Sequence, residues 1–384
     1  MNNIYNCTGH DLIIPDIVDS SGIFIFDSKA KKYMDLESGV WCTSLGHNNS
    51  QINTVIKKQI DKIMHAGFCY SGSILHKSAE SVLSITEFEN GRCVFLCSGS
   101  ESIELARQMA KHVTGRKTSM TLHDSYLGAY CSVTDRSENW YIFNWEECVS
   151  CPCRDNCDPD CESLKDIPHD ISDFIFEPGS SSGFVRFPPE SLIRNITNIV
   201  KSHGGKIIAN EVTTGIGRTG RWFGYNHYHI EPDMVAMGKG IGNGYPVSVT
   251  AINAKTAMEL EKTGFKYSQS HQNDPLGAAI VNEVIKIIKN NNLIKKAQAM
   301  GPGFLEKLDT LKDNKNIIDV RGRGLMFALD MASEETGDRL FRKLVDKGYI
   351  VCNRKGLFRI DPPLTIKQEE FNSFIKDFKK ILKS

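Results

Sequence analysis

Lys239 follows the apolar run Met234–Met237 directly and sits among glycines in GKGIGNGYP, residues 238–246. A charged lysine at the end of a buried strand, with no obvious acidic neighbour, is costly unless its pKa falls or it bonds covalently. Such an amine suits a Schiff base. Standing alone, the stretch would read as a surface lysine in a flexible loop. SGSES, residues 98–102, joins an apolar strand to a helix, where free backbone N–H groups and small hydroxyls can hold an anion. Simple capping by Ser100 is the plainer reading of the same residues. A second apolar run, Ile207–Ala209, ends in Asn210 and Glu211, and HDSYLGAY, residues 123–130, offers the aromatic Tyr126.

These residues need strands to carry them. VFLCS (94–98), TSMTLHD (118–124), FIFEP (174–178), KIIANEV (206–212), DMVAMG (233–238) and VSVTAI (247–252) read as strands. Residues 100–116 have helical spacing, with Ile103, Ala106, Ala110 and Val113 on one face, Ser100 as the expected N-cap and Gly115 as the stop. Another helix spans 188–203. The alternation predicts an α/β fold with a mostly parallel sheet. Upstream, 21–36 reads as a hairpin turning at Asp27–Lys31, and 50–64 as a helix. Beyond 274 come two helices broken near Asn290–Asn292, strands in IIDVRGRGLMFALDM, a helix at 334–347, strands in YIVCNR and LFRIDPP, and a last helix from Ile366. This order predicts a smaller α+β domain.

The 384 residues are ample for a large core, and the ordinary balance of 40% hydrophobic and 24% charged residues argues against disorder. Lys+Arg and Asp+Glu are 46 each, which removes the electrostatic case for nucleic acid or an anionic membrane as main partner. Neither a secretory leader nor an apolar run of bilayer length is present, so the expected location is the cytoplasm. GIGRTG (215–220) fits the dinucleotide fingerprint, but an aromatic run follows it instead of an apolar helix, and no acid lies about 20 residues on.

A phosphate cup, an aromatic, a strand-end polar pair and a glycine-flanked lysine form the set that pyridoxal 5′-phosphate needs. The longer stretch NEVTTGIGRTGRWFGYNHYHIEPDMVAMGKGIGNGYPVS resembles the class III (fold type I, subgroup II) aminotransferases, and the resemblance extends along nearly the whole chain. It implies that fold and a transaminase passing an amino group between an amine or amino acid, ω-amino acids included, and a keto acid or aldehyde. Lys239 would form the Schiff base and carry a 1,3-proton shift. Ser98, Gly99 and Ser100 would bind the phosphate and Tyr126 would cover the ring. Glu177, Asn210, Val212 and Thr213 would complete the cofactor site. Ser270 would reach the cofactor of the neighbouring subunit in a homodimer. Trp41 would line a substrate wall, unless it is an ordinary buried aromatic, and Arg359 would bind a carboxylate. The implied division is 1–48 in the small domain, 49–275 as the large cofactor-binding domain, and 276–384 as the rest of the small domain.

The sequence departs from the family pattern at five places. Asn210 replaces the aspartate that pairs with the pyridinium nitrogen, Thr213 a glutamine, and Leu127 a histidine. Ala129 stands where some members carry a carboxylate-binding arginine, and Ser182 stands for a glutamate that can neutralise an arginine. An epimerase or aminomutase on the same scaffold, or a catalytically weakened cofactor-binding relative, are the alternatives. CVSCPCRDNCDPDC, inside the insertion 146–163, has no counterpart in the pattern. Its Cys148, Cys151, Cys153, Cys157 and Cys161 could hold zinc or an iron–sulfur cluster, or be disulfides or idle thiols. The other seven cysteines are expected to be small buried hydrophobes.

Overall fold

The computed structural model describes residues 3–5, 7, 12–180 and 184–383; Ser182 therefore lies outside the described residues. The central sheet has seven strands: β1 (Arg92–Leu96), β2 (Thr118–Leu122), β3 (Trp140–Phe143), β4 (Ile171–Phe176), β5 (Lys206–Asn210), β6 (Met234–Met237) and β7 (Ser248–Ile252). Their order is β1-β7-β6-β5-β4-β2-β3. β7 pairs antiparallel with both β1 and β6, and the remaining pairs are parallel. Six strands therefore point one way and only β7 is reversed. β4, β5, β6 and β7 are buried along their whole length. That explains their unbroken apolar runs, since both faces of a covered sheet leave water.

Helix α1 (Gly99–Thr114) packs across β4–β7 through Ile103, Ala106 and Ala110, all buried. α2 (Glu190–Ser202) covers β4 and β5, and α3 (Pro275–Asn290) packs on the helices Ser50–Ile60 and Ser73–Thr86. α1 begins two residues earlier than a cap at Ser100 would allow. Ser98 is the N-cap: its hydroxyl accepts the Glu101 N–H, while the Glu101 carboxylate accepts the Ser98 N–H at 2.7 Å. This reciprocal box stabilises the helix start by about 1 kcal/mol and leaves the Ser100 hydroxyl available for another use.

The expected hairpin forms from Phe24–Asp27 and Lys32–Asp35, and the chain's later half joins it: Tyr349–Ile350 runs parallel to Lys32–Asp35. Ile317–Arg323, Met326–Met331, Leu357–Ile360 and Cys352–Arg354 form a separate four-stranded sheet, backed by the helices Glu334–Lys347 and Gln368–Lys383.

Candidate active site

In an α/β sheet of this kind, a ligand binds beyond the carboxyl ends of the strands. Here the ends of β1, β5 and β6 deliver Ser98, Asn210 and Lys239 to one cleft of about 370 Å³. Gly99, Ser100, Tyr126, Val212 and Thr213 also line it, together with Leu127, Cys42, Cys97 and the segment Gly244–Val247. The N-terminus of the 16-residue α1 opens onto this cleft, so its first N–H groups and dipole favour an anion there.

Glycine at 99 is required by close approach. A Cβ there would stand 2.6 Å from Cγ1 of Val212. Gly128 is confined similarly, with φ of 121° and a Cβ that would meet Oγ of Ser100 at 2.9 Å. That hydroxyl accepts the Ala129 N–H at 3.1 Å, which ties the Tyr126 loop to α1. The Tyr126 N–H donates to the buried Glu177 carboxylate at 2.8 Å, so Glu177 acts on the loop and does not itself line the cleft.

Lys239 directly follows the strand β6 and the glycine Gly238, with φ of 46°, in the left-handed region that non-glycine residues seldom occupy. Burial holds its pKa below the ordinary lysine value; Cys42 and Glu177 oppose that shift, Arg359 adds to it, and Asp361 opposes it. Its Nζ lies 4.9 Å from the centre of the Trp41 ring.

Arg359 also lies against that indole, with Cζ 3.9 Å from the ring centre. The Arg359 guanidinium donates to Glu37 at 3.0 Å. Trp41 and Arg359 are both buried, at 4% and 6% exposure, and neither lines the cleft. Their expected contact with substrate is therefore indirect in this conformation. Burial pushes the Glu37 pKa up; Arg359 opposes this and Asp35 adds to it. Asp361, fully buried nearby, is pushed up to about 6 by burial against the pull of Arg359 and Arg218. Sequence reasoning does not single out Glu37 and Asp361. Glu37 reaches Arg359 across 322 residues of sequence, and no local spacing announces that pairing.

Asn210 has its amide orientation dictated by its neighbours. Its Nδ2 donates to the Tyr126 carbonyl at 2.9 Å, and its Oδ1 accepts the Val212 N–H at 3.3 Å. A carbonyl can only accept and a backbone N–H can only donate, so the assignment has one solution. Oδ1 keeps a second lone pair. Thr213 Oγ1 is buried without a protein partner among the described residues. A polar group left so calls for a ligand atom or water. Glu211 is different: it accepts from Thr214 Oγ1, Gly224 N and Tyr225 N, each at 2.8 Å, and organises the glycine loop.

Ser270 is exposed and does not line the cleft of its own chain. The five clustered cysteines are not drawn into a ligand set: among the described residues no three of their sulfurs lie within 4.8 Å of one another. Cys151 and Cys153 are exposed, while Cys148, Cys157 and Cys161 pack partly buried against the core. The polar turn between them faces solvent. All 12 cysteines are free. The expectation of buried thiols elsewhere also fails, because Cys7, Cys69 and Cys131 are exposed and Cys42 and Cys97 face the cleft.

The amine, anion cradle, orphaned hydroxyl and glycine-confined walls fit pyridoxal 5′-phosphate. The aminotransferase class-III family model matches residues 5–382. The chain belongs to that family, and it is an aminotransferase dependent on pyridoxal phosphate. It is 28% identical over 380 residues to a leucine/methionine racemase of Thermococcus litoralis, covering 90% of this chain and 85% of that protein. It is 29% identical over 416 residues to the human mitochondrial alanine–glyoxylate aminotransferase 2, covering 94% and 80%. A Bacillus anthracis aminotransferase structure superimposes with a TM-score of 0.89 at 23% identity, covering 96% of this chain and 93% of that one.

Proposed function

We propose that Lys239 is the catalytic residue of a transaminase that moves an amino group from a small amine or amino acid to a keto acid or aldehyde. One observation carries this reading: the Lys239 amine sits half-buried at the sheet's carboxyl edge, its proton loosened by desolvation, in the cleft that the α1 N-terminus opens onto. Pyridoxal phosphate, when bound, supplies the carbonyl that takes up an amine and a ring that delocalises the electrons left on the adjacent carbon. The chain's own residues do the rest. The backbone N–H groups of Gly99 and Ser100 would hold the phosphate. Tyr126 would cover the ring, and Thr213 Oγ1, orphaned in the cleft, would bond its polar edge. Asn210 presents Oδ1, an acceptor, and would take a hydrogen bond from a protonated ring nitrogen. Lys239 takes a proton from the substrate carbon and returns it one position away, which is general acid–base work suited to a neutral amine.

Glu37 and Trp41 occupy Arg359, so a substrate carboxylate reaches that guanidinium only by displacing Glu37. This favours donors without a carboxylate beside the reacting carbon, simple amines and ω-amino acids. A racemase or epimerase reading is favoured by one observation, the likeness to the leucine/methionine racemase. A homodimer in which Ser270 reaches the partner's cofactor, a cytoplasmic location, and the three-segment division at 48 and 275 belong to the same proposal. A metal at the cysteine insertion would require Cys151 and Cys153 to turn inward. Elemental analysis after replacement of both tests that point.

The decisive experiment is borohydride reduction of the cofactor-loaded enzyme followed by peptide mapping, together with a panel of amines and amino acids with and without a keto-acid acceptor. A tag on Lys239 and acceptor-dependent product formation from simple amines or ω-amino acids are expected. A tag with acceptor-independent inversion would establish the racemase. An untagged Lys239 would refute the assignment.

A further inference from the structure

The geometry points to a second site, outside the cleft: a binding site for one divalent first-row transition cation on His65, His271 and Asp274. Nδ1 of His65 lies 2.5 Å from one Asp274 oxygen, and Nδ1 of His271 lies 2.7 Å from the other. One nitrogen from each ring and one carboxylate oxygen lie within 4.8 Å of one another, the only such set of three among the described residues. The two rings, with centroids 4.9 Å apart, are tilted by 53° and so do not stack. Both turn the same nitrogen toward one carboxylate.

Electrostatics supplies an independent argument. The Asp274 side chain is only 17% exposed, yet among the described residues its ion-pair partners are these two histidines, with no lysine or arginine. A bound divalent ion would bring a fixed positive charge to this carboxylate and become the shared partner of the two rings.

The donor set selects the metal. Two imidazole nitrogens and one carboxylate oxygen suit Zn²⁺, Co²⁺ or Ni²⁺, whereas Mg²⁺ and Ca²⁺ require oxygen-rich shells. Three protein donors leave the remaining positions to water.

The position gives the ion a consequence. His65 lies between the helices Ser50–Ile60 and Ser73–Thr86, while His271 and Asp274 immediately precede α3. The ion would clamp these two segments together. On the same short loop, Gln269 donates to Glu101 at 2.8 Å and the Asn273 side chain accepts the Phe95 N–H at 3.0 Å. Glu101 belongs to the capping box of α1. The clamp would thus fix the loop that carries Ser270, next to the cofactor cleft, without touching the cleft itself.

The test is isothermal titration of the chelator-treated holoenzyme with Zn²⁺, followed by X-ray absorption on the zinc-loaded protein. One ion per chain is expected, with a shell of nitrogen and oxygen at about 2.0–2.1 Å and no sulfur at about 2.3 Å. Affinity should fall at least about 10-fold in His65→Ala and in Asp274→Asn, and should be unchanged in Cys151→Ser/Cys153→Ser. Retained visible absorbance of the cofactor shows that a variant is folded. Failure of the wild type to bind, a sulfur shell, or binding that survives both His65→Ala and His271→Ala would overturn the proposal. None of these outcomes depends on whether Lys239 is the reactive amine, so the two readings fail separately.

Discussion

Lys239 and Asn210 show how far single residues can be read. The lysine was legible because its cost was: an amine placed at the end of a buried strand needs a reason. Burial holds its pKa below the usual lysine value. The folded chain therefore binds fewer protons than the unfolded one between that lowered value and about 10.4, and stability rises with pH across this window. Lys239→Met removes the titrating group. The cofactor-free variant should be more stable than the parent near neutral pH by about 1–3 kcal/mol, the usual cost of burying a polar group without full compensation. Its stability should also flatten over the alkaline range in urea titrations. An unchanged pH slope would contradict the assigned burial. Turnover should fall by about 10²–10⁴. Asn210 was legible as a departure, but its orientation was not. That depends on the Tyr126 carbonyl, 84 residues away. An aspartate there would set a carboxylate oxygen against that carbonyl and leave it without a donor. Asn210→Asp should thus cost about 1–3 kcal/mol in thermal or urea unfolding, and should loosen the loop that places Tyr126. The charge that it would give a ring nitrogen comes with that loss. A variant as stable as the parent would show that the amide is not held as described.

At the scale of elements, the buried strands announced themselves by apolar runs, and α1 by its spacing. β3 and the helix Ser73–Thr86 escaped notice. β3, Trp140–Phe143, is a four-residue edge strand with only Phe143 fully buried, so it has neither an unbroken run nor a clean alternation. The cap falls two residues before the expected Ser100 because SGSES offers three hydroxyls. Only the reach of Glu101 back to Ser98 decides among them. The consequence is functional: with Ser98 used by the cap, Gly99 and Ser100 are the residues that face the cleft with free backbone. Gly99 lies against Val212, and its Cα is also close to Gly238, one residue before Lys239: a Cβ on Gly238 would meet it at 3.1 Å. Gly99→Ala must therefore push the Val212 side chain, at β5's exit, away from the start of α1. Overpacking of this kind costs about 1–3 kcal/mol. Cofactor affinity, read by fluorescence titration, should fall with it, whereas Gly115→Ala at the far end of the same helix should leave affinity unchanged. Equal cofactor affinity in Gly99→Ala and the parent would remove the close approach from the account.

At the scale of the whole molecule, the chain's two ends are brought together: Lys32–Asp35 pairs with Tyr349–Ile350, and Glu37 with Arg359. Such long-range pairing was invisible to periodicity, which sees only neighbours in sequence. It explains why the α+β character of the last hundred residues could be read while its link to the first fifty came only from family resemblance. The same blindness covers partners. Ser270 is exposed and outside its own chain's cleft, as a residue serving a second subunit must be. Phe68 and Tyr70, on the loop that carries His65, are exposed large aromatics of the sort a partner covers. The proposed homodimer makes a joint prediction. The enzyme should sediment as a dimer, and Tyr70→Glu should shift it toward monomer and lower cofactor affinity in parallel, because each site then loses the partner's hydroxyl. Ser270→Ala should lower cofactor affinity about 10-fold, the loss expected for a hydrogen bond to a charged phosphate, while leaving the dimer intact in sedimentation. Mixing Ser270→Ala with Lys239→Ala chains separates the geometries. If the serine acts across the interface, a hybrid dimer places both lesions at one site. Its other site is then wild-type, and turnover is recovered to about half of the parental value per hybrid. If the serine serves its own chain, each site carries one lesion and the mixture shows no such recovery.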